Sequence, residues 1–238
     1  MGNLVGGANA ILLLLTVMAV GASAAIAFLA HRRRKSGIAR TFVGGAAAIA
    51  LLYTTGVIAA SATSTEQTIE AGDIKWFCGF YLDCHLGMSV EHLEKLATMP
   101  TANGALKAAG SFHVLTVRLH NSAKNPNIDM LLYQPKARIV DALGRVYERS
   151  TAAESALAPG MRSQILGAET KVGHTPVDAT MVFDLPQNIQ RPRLDVSEGW
   201  IVDRIIELGL IADENSILHK RALLAIDGST RTASDTNE

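Results

Sequence analysis

The sequence predicts a mainly β protein, an antiparallel sandwich preceded by two transmembrane α-helices. Three observations carry this. Two long uncharged apolar runs lie near the N-terminus, a basic cluster separates them, and the later segments alternate apolar and polar residues between Gly and Pro punctuation.

The first run, Leu4 to Ala30, carries no charge, and its polar side chains are Asn9, Thr16 and Ser23. At 1.5 Å per residue, roughly 20 helical residues cross a hydrocarbon core of about 30 Å, and spare length is absorbed by tilt. The second run, Phe42 to Ala62, is richer in Ala and Gly but equally uncharged. Between them stand His31, Arg32, Arg33, Arg34, Lys35 and Arg40. Basic residues in short loops stay cytoplasmic, so residues 1–63 are expected to form a hairpin with a cytoplasmic loop at 31–41. Everything after Thr63 then faces outward, on the extracytoplasmic side of the membrane. A competing expectation treats the second run as a secretory signal cleaved after Ala62, because Ala60-Ser61-Ala62 resembles a small-residue cleavage site. Within the hairpin, Gly21 with Ala25 and Gly44 with Ala48 have the small-xxx-small spacing that lets helix backbones approach.

Charge is distributed unevenly along the chain. No Asp or Glu precedes Glu66, while five of the 22 Lys and Arg do, leaving 17 against all 22 acidic residues and a net charge of about −5 on the exported part. A nucleic-acid partner needs a dense basic face to neutralise phosphates. Nothing after Arg40 supplies one.

Residues 64–72 are polar and are expected to be a linker, with the folded domain at 73–226. Ser111 to Asn121 places Leu115, Val117 and Leu119 on one face and Thr116, Arg118 and His120 on the other. Lys136 to Glu148 has Asp141-Ala142-Leu143-Gly144 at its centre, which suits a hairpin turn. Ala179 to Leu185 aligns Met181, Phe183 and Leu185 and stops at Pro186, and Pro159-Gly160 marks another turn. Val90 to Ala97 and Trp200 to Leu210 fit strand or helix equally. Residues 227–238 lack apolar content and are expected to be disordered.

The elements WFCGFYLDCHLGMSV (Trp76 to Val90), GSFHVLTVRLHNSA (Gly110 to Ala123), VDALGRVYERS (Val140 to Ser150), MVFDLP (Met181 to Pro186) and ENSILHKRALLAI (Glu214 to Ile226) together resemble a bacterial family of immunoglobulin-like extracytoplasmic domains. That family has no assigned biochemical function and often sits on membrane or lipoprotein anchors. The resemblance covers most of residues 73–226. It implies an immunoglobulin-like sandwich and a bacterial cell-envelope address, here the outer side of the cytoplasmic membrane, and it carries over no catalytic residue.

Cys78 and Cys84 are the two cysteines of the chain. In an exported domain a disulfide between them persists, and the five intervening residues allow it if the segment turns at Gly79. The sharper alternative gathers Cys78, Cys84, His85 and Met88 into a soft-ligand set suited to copper. Its spacing matches neither a haem-attachment motif nor a zinc pair, and neighbouring Cys84 and His85 point to opposite faces of a strand. No cofactor is therefore expected.

The other titratable residues do not converge. His113 and His120 differ by seven and face opposite sides of one strand. His174 falls in a loop, and His219 in the final strand is expected to make a structural hydrogen bond. Ser155, Ser163 and Ser216 lack a nucleophile elbow, and Asp141, Asp184 and Asp203 form no dyad. Trp76 and Trp200 are expected to fill the core between the sheets rather than anchor a ligand. The expectation is a non-catalytic, membrane-anchored binding protein of the cell envelope. The alternatives are redox or copper handling through Cys78 to Met88, and an accessory subunit of a membrane complex.

Overall fold

A threonine in an apolar helix can satisfy its hydroxyl on the helix's own backbone, and three do so here. In the computed structural model, Thr16, Thr41 and Thr54 each donate to the carbonyl four residues earlier. The structure describes residues 3–77, 85–101, 104–157, 164–197 and 205–227, with only the backbone for 3–7. These fall into two compact units: the residues up to Thr65 together with 205–221, and the remaining residues from Glu66 onward.

In the first unit, α1 (Asn3–Arg32) and α2 (Ser36–Ala62) are both long and apolar enough to cross a membrane. The basic cluster ends α1 in a compact turn. Arg34 takes a left-handed φ of 59°, with its N–H donating to His31 O at 2.9 Å and that of Lys35 to Ala30 O at 2.9 Å. This is the Schellman pattern, and it places cations where the helix dipole favours them. Ala27, Ala30, Ala39 and Val57 are buried, whereas a Cβ added at Gly21 or Gly44 would meet open space. The small-residue spacing noted at Gly21 and Gly44 therefore does not mark a close approach within this hairpin.

The second unit is a β-sandwich. Its first sheet runs β2 (Lys75–Phe77), β3 (Leu86–Thr101), β4 (Gly104–Asn121), β10 (Val177–Leu185), β8 (Gln164–Ile165). The second runs β1 (Gln67–Ile69), β12 (Ala222–Ala225), β11 (Arg193–Ser197), β6 (Lys136–Val140), β7 (Val146–Glu148). A ribbon of β5 (Met130–Tyr133) and β9 (Glu169–Val172) stands beside them as a separate pair. Pairing is antiparallel except at two sheet edges, where β1 joins β12 and β8 joins β10 in parallel. The expected fold class, two long apolar helices followed by a β-sandwich, is the one observed, with these two edge pairs as its parallel exceptions.

The period-two segments form the core as expected. Leu115, Val117 and Leu119 of β4 are fully buried, as are Met181 and Phe183 of β10, and they meet Ile139, Leu194 and Leu224 from the opposite sheet. Val90 to Ala97 belongs to β3. A bulge between Val90 and His92 switches the buried parity, so Leu93 follows Met88 and Val90 into the core. The outward side of the same sheet buries a smaller cluster, Met99, Phe112, Val114 and Val182, under α3 (Thr151–Ala156).

Asp141 shapes the predicted hairpin between β6 and β7. Its carboxylate accepts from the backbone N–H of Leu143 and Arg145 at 2.9 Å each, and Gly144 takes a φ of 75°. Burial pushes its pKa up, but hydrogen bonds from Arg145 and Leu143 outweigh it and hold the carboxyl below its ordinary range.

Three segments differ from expectation. The stretch read as a linker, 64–72, contributes β1, because Thr68 and Ile69 pair with Leu223 and Leu224. The domain drawn as continuous over 73–226 is interrupted, since the described residues 205–221 group with the helices and not with the sandwich. His219 accordingly precedes the last strand rather than lying in it, with Nδ1 2.8 Å from Lys220 O. The Pro159-Gly160 turn, Ser163, Trp200, Asp203 and 228–238 of the expected tail lie outside the described residues.

Candidate functional site

Cys78 and Cys84 lie outside the described residues. Their proposed ligand partners do not converge. Met88 is fully buried in the sandwich core, while His85 Nδ1 lies 3.0 Å from Ser122 Oγ. Among the described residues no group of three or more His, Cys, Asp or Glu is placed to hold a metal ion.

The arrangement with most chemistry lies on the outward face of the first sheet. Register places it: Trp76 pairs with Gly87 and Gly87 with His120, while Ser89 pairs with Arg118 and Arg118 with Asp178. Two adjacent rows therefore cross the sheet, one carrying an aromatic and an imidazole, the other a guanidinium and a carboxylate. Trp76 is half-buried between buried Lys75 and Phe77. A Cβ on Gly87 would come within 2.8 Å of the indole, so glycine there is what lets the ring lie on the sheet. The expectation that Trp76 fills the core between the sheets is corrected by this placement.

The second row is a closed ion-pair network. Arg118 binds Asp178 through two bonds of 2.7 and 3.0 Å and reaches Glu91 at 3.1 Å. Ser89 Oγ donates to Glu91 Oε1 at 2.6 Å and lies 2.9 Å from His120 Nε2. The forked pair fixes the guanidinium plane. Arg118 is 39% exposed and Asp178 38%, so the pair is screened and adds little stability, but it is within reach of a partner. The Arg118 guanidinium beside Asp178 holds that carboxyl below the usual range, and burial pushes the His120 imidazole down.

A serine beside a histidine invites comparison with nucleophilic catalysis, but the geometry is that of a bridge. Ser89 is fully buried and gives its proton to a carboxylate, so the hydroxyl is bonded on both sides. Sequence reading placed Arg118 and His120 on one strand face and did not single out Ser89, Glu91 or Asp178. The signal available was the shared parity of Arg118 and His120, yet their partners on β3 depend on a register that one sequence does not reveal.

A second feature is a groove of about 620 Å³ lined by Gln134, Arg149, Thr151, Glu154 and Leu166. Its charges are committed inward. Arg149 forks onto Glu154 at 2.8 and 2.9 Å and donates to Leu166 O, and Glu154 accepts from the Val182 N–H at 3.0 Å. This set ties α3 to β10. Of the remaining residues singled out by sequence, Asp184 accepts from Ala109 and Gly110 N–H, Ser155 bonds Thr151 O, Ser216 meets Ser61, and His174 is exposed.

No protein-family model and no curated protein matches the chain. Several solved structures are similar. MPT63, a secreted protein from Mycobacterium tuberculosis, is 15% identical, covers 68% of this chain and 99% of its own, and has a TM-score of 0.39. The yjhA protein from Bacillus subtilis is 13% identical, with 55% and 80% covered and a TM-score of 0.36. An uncharacterized β-sandwich protein from Clostridium difficile is 9% identical, with 68% and 95% covered and a TM-score of 0.32. At these scores none bears on the site, and the sandwich stands on its own strand pairing.

Proposed function

We propose that this is a non-catalytic binding protein of the bacterial cell envelope, anchored by α1 and α2. On this proposal its immunoglobulin-like sandwich lies on the extracytoplasmic side and offers the outward face of the first sheet to a protein or another envelope component. One observation carries the proposal. Trp76, held on the sheet by Gly87, lies one row from the Arg118 pair, so an apolar anchor and an oriented charge share a rigid surface. Aromatic and Arg side chains on such surfaces supply most of the energy of protein interfaces. The orientation is supported by the basic turn between helices that otherwise carry no acidic residue. A disulfide between Cys78 and Cys84 is proposed on compartment grounds.

Crosslinking in intact cells tests this reading, comparing the full chain with Trp76→Ala/Arg118→Ala. The wild type is expected to capture a defined partner that the variant loses while keeping its melting temperature within a few degrees. A variant that captures the same partner equally well would refute the surface assignment. An accessory-subunit role is a second reading, favoured by the open space facing Gly21 and Gly44. Gly21→Leu/Gly44→Leu would then disrupt assembly without unfolding the sandwich, and unchanged assembly would dismiss it.

A further inference from the structure

Between β11 and β12 the chain leaves the sandwich, and its described part, 205–221, packs on α1 and α2. Beyond one helical turn at 205–207 this segment is irregular, so its backbone polar groups have no regular ladder to satisfy them. The helices supply partners instead. Tyr53 OH donates to Gly209 O at 2.8 Å, Asn9 Nδ2 donates to Ile211 O at 2.6 Å, and the Lys220 N–H donates to Ser64 Oγ at 2.8 Å. Ser61 and Ser216 share a buried hydroxyl contact at 3.0 Å. Turns within the segment tie Gly209 N to Ile206 O, Leu210 N to Glu207 O and Ser216 N to Asp213 O.

These contacts set its depth. Ser61 lies near the end of α2 remote from the basic turn, and Tyr53 is about two turns, roughly 12 Å, nearer to that turn. On α1, Asn9 and Leu13, which lies 3.8 Å from the Cβ position of Gly209, also belong to the remote half. If the helices span a hydrocarbon core of about 30 Å, the contacts with Gly209 and Ile211 fall within it.

Residues 205–211 do not have the burial of a water-facing surface: Glu207 and Leu210 are buried, while Ile205 is 65% exposed and Leu208 49%. The segment's other charged residues come later, from Asp213 to Arg221, where Ser216 and Lys220 meet Ser61 and Ser64 at the end of α2. The helices are also apolar where they are exposed, as at Ile11 and Leu15 of α1 and Leu52 of α2. Irregular backbone at membrane depth is tolerated only where protein satisfies its polar groups, and Tyr53 and Asn9 do so for Gly209 and Ile211.

From these observations we infer that residues 205–211 are a third membrane-embedded part of the anchor, with Leu208 in the acyl chains of the leaflet opposite the basic turn, while Asp213 to Arg221 return to the end of α2 at the membrane surface. The inference rests on the anchoring reading above. Its occupant is lipid because Gly209 and Ile211, on either side of the segment's apolar stretch, are bonded to helix positions that on that reading lie at the depth of the acyl chains.

The test places the photoreactive residue p-benzoyl-phenylalanine singly at Leu208, Leu52 or Leu143 of the full chain, in vesicles of phosphatidylethanolamine and phosphatidylglycerol. All three positions are exposed, at 49%, 77% and 74%. After irradiation, mass spectrometry is expected to find lipid adducts at Leu208 within a few-fold of Leu52 and at least tenfold above Leu143, which lies in the β6–β7 turn. Adducts at Leu52 with Leu208 no higher than Leu143 would overturn the inference and leave the anchor standing. Absence of adducts at Leu52 would overturn the anchoring reading, and this inference with it.

Discussion

The Lys75 ammonium of β2 donates to the Val196 carbonyl of β11 at 2.9 Å, so a buried cation from one sheet is held by the backbone of the other. It also donates to Ala222 O of β12 at 2.8 Å and lies 5.8 Å from the Phe77 ring centroid. Removing the donor leaves two carbonyls short of a partner. Lys75→Met, of similar length, is expected to destabilise the sandwich by about 1–3 kcal/mol, read from urea unfolding. A neutral or stabilising result would show that apolar packing at this position matters more than the two bonds.

Gly110 admits no side chain. A Cβ there would stand 2.1 Å from Leu185 O, where Asp184 also accepts from the Ala109 and Gly110 N–H groups. Backbone on both sides must move, so Gly110→Ala is expected to cost on the order of 1–3 kcal/mol or more. Gly21→Ala, which meets open space, is expected to leave unfolding unchanged.

Core burial sets the scale for these effects. Phe183 is fully buried between the sheets, and Phe183→Ala is expected to cost about 3–5 kcal/mol. Leu143, at 74% exposed, serves as a control whose replacement by Ala is expected to change little. Equal effects at the two positions would contradict the placement of the core.

Two histidines make stability sensitive to mild acid. Burial pushes His113 down, aided by Lys95 and opposed by the Ser111 carbonyl, Asp227 and Asp184. Burial also pushes His120 down, aided by Arg118 and opposed by Glu91 and Asp178. Unfolded imidazoles take up protons near pH 6.5, while the folded ones resist until lower pH. The stability they contribute is therefore present above the ordinary histidine range and is lost as pH falls from about 6.5 through the folded-state values. Urea midpoints are expected to drop between pH 7.5 and 5.5, and His113→Gln/His120→Gln to shrink that drop. A midpoint that rises on acidification would refute the sign.

Local patterns were legible where they alone decide the outcome. Charge-free length marked α1 and α2, alternation marked β4 and β10, and Asp141 with Gly144 marked the hairpin, since each depends on neighbours in sequence. The Trp76–Gly87–His120 row was hidden because it depends on register across three strands, shifted further along β3 by a bulge. Likewise β1, only three residues long, is recognisable from its pairing with β12, more than 150 positions away. Residues 205–221 carry enough Ile and Leu to read as sandwich core. Their bonds to Asn9, Tyr53 and Ser61, which the sequence does not announce, place them with the helices.

The most direct test of the account is the side of the membrane on which each lysine lies. A membrane-impermeant amine reagent applied to intact spheroplasts is expected to modify exposed Lys107 and Lys124 of the sandwich while sparing Lys35 in the basic turn until the membrane is opened. Modification of Lys35 with Lys107 and Lys124 protected would contradict it.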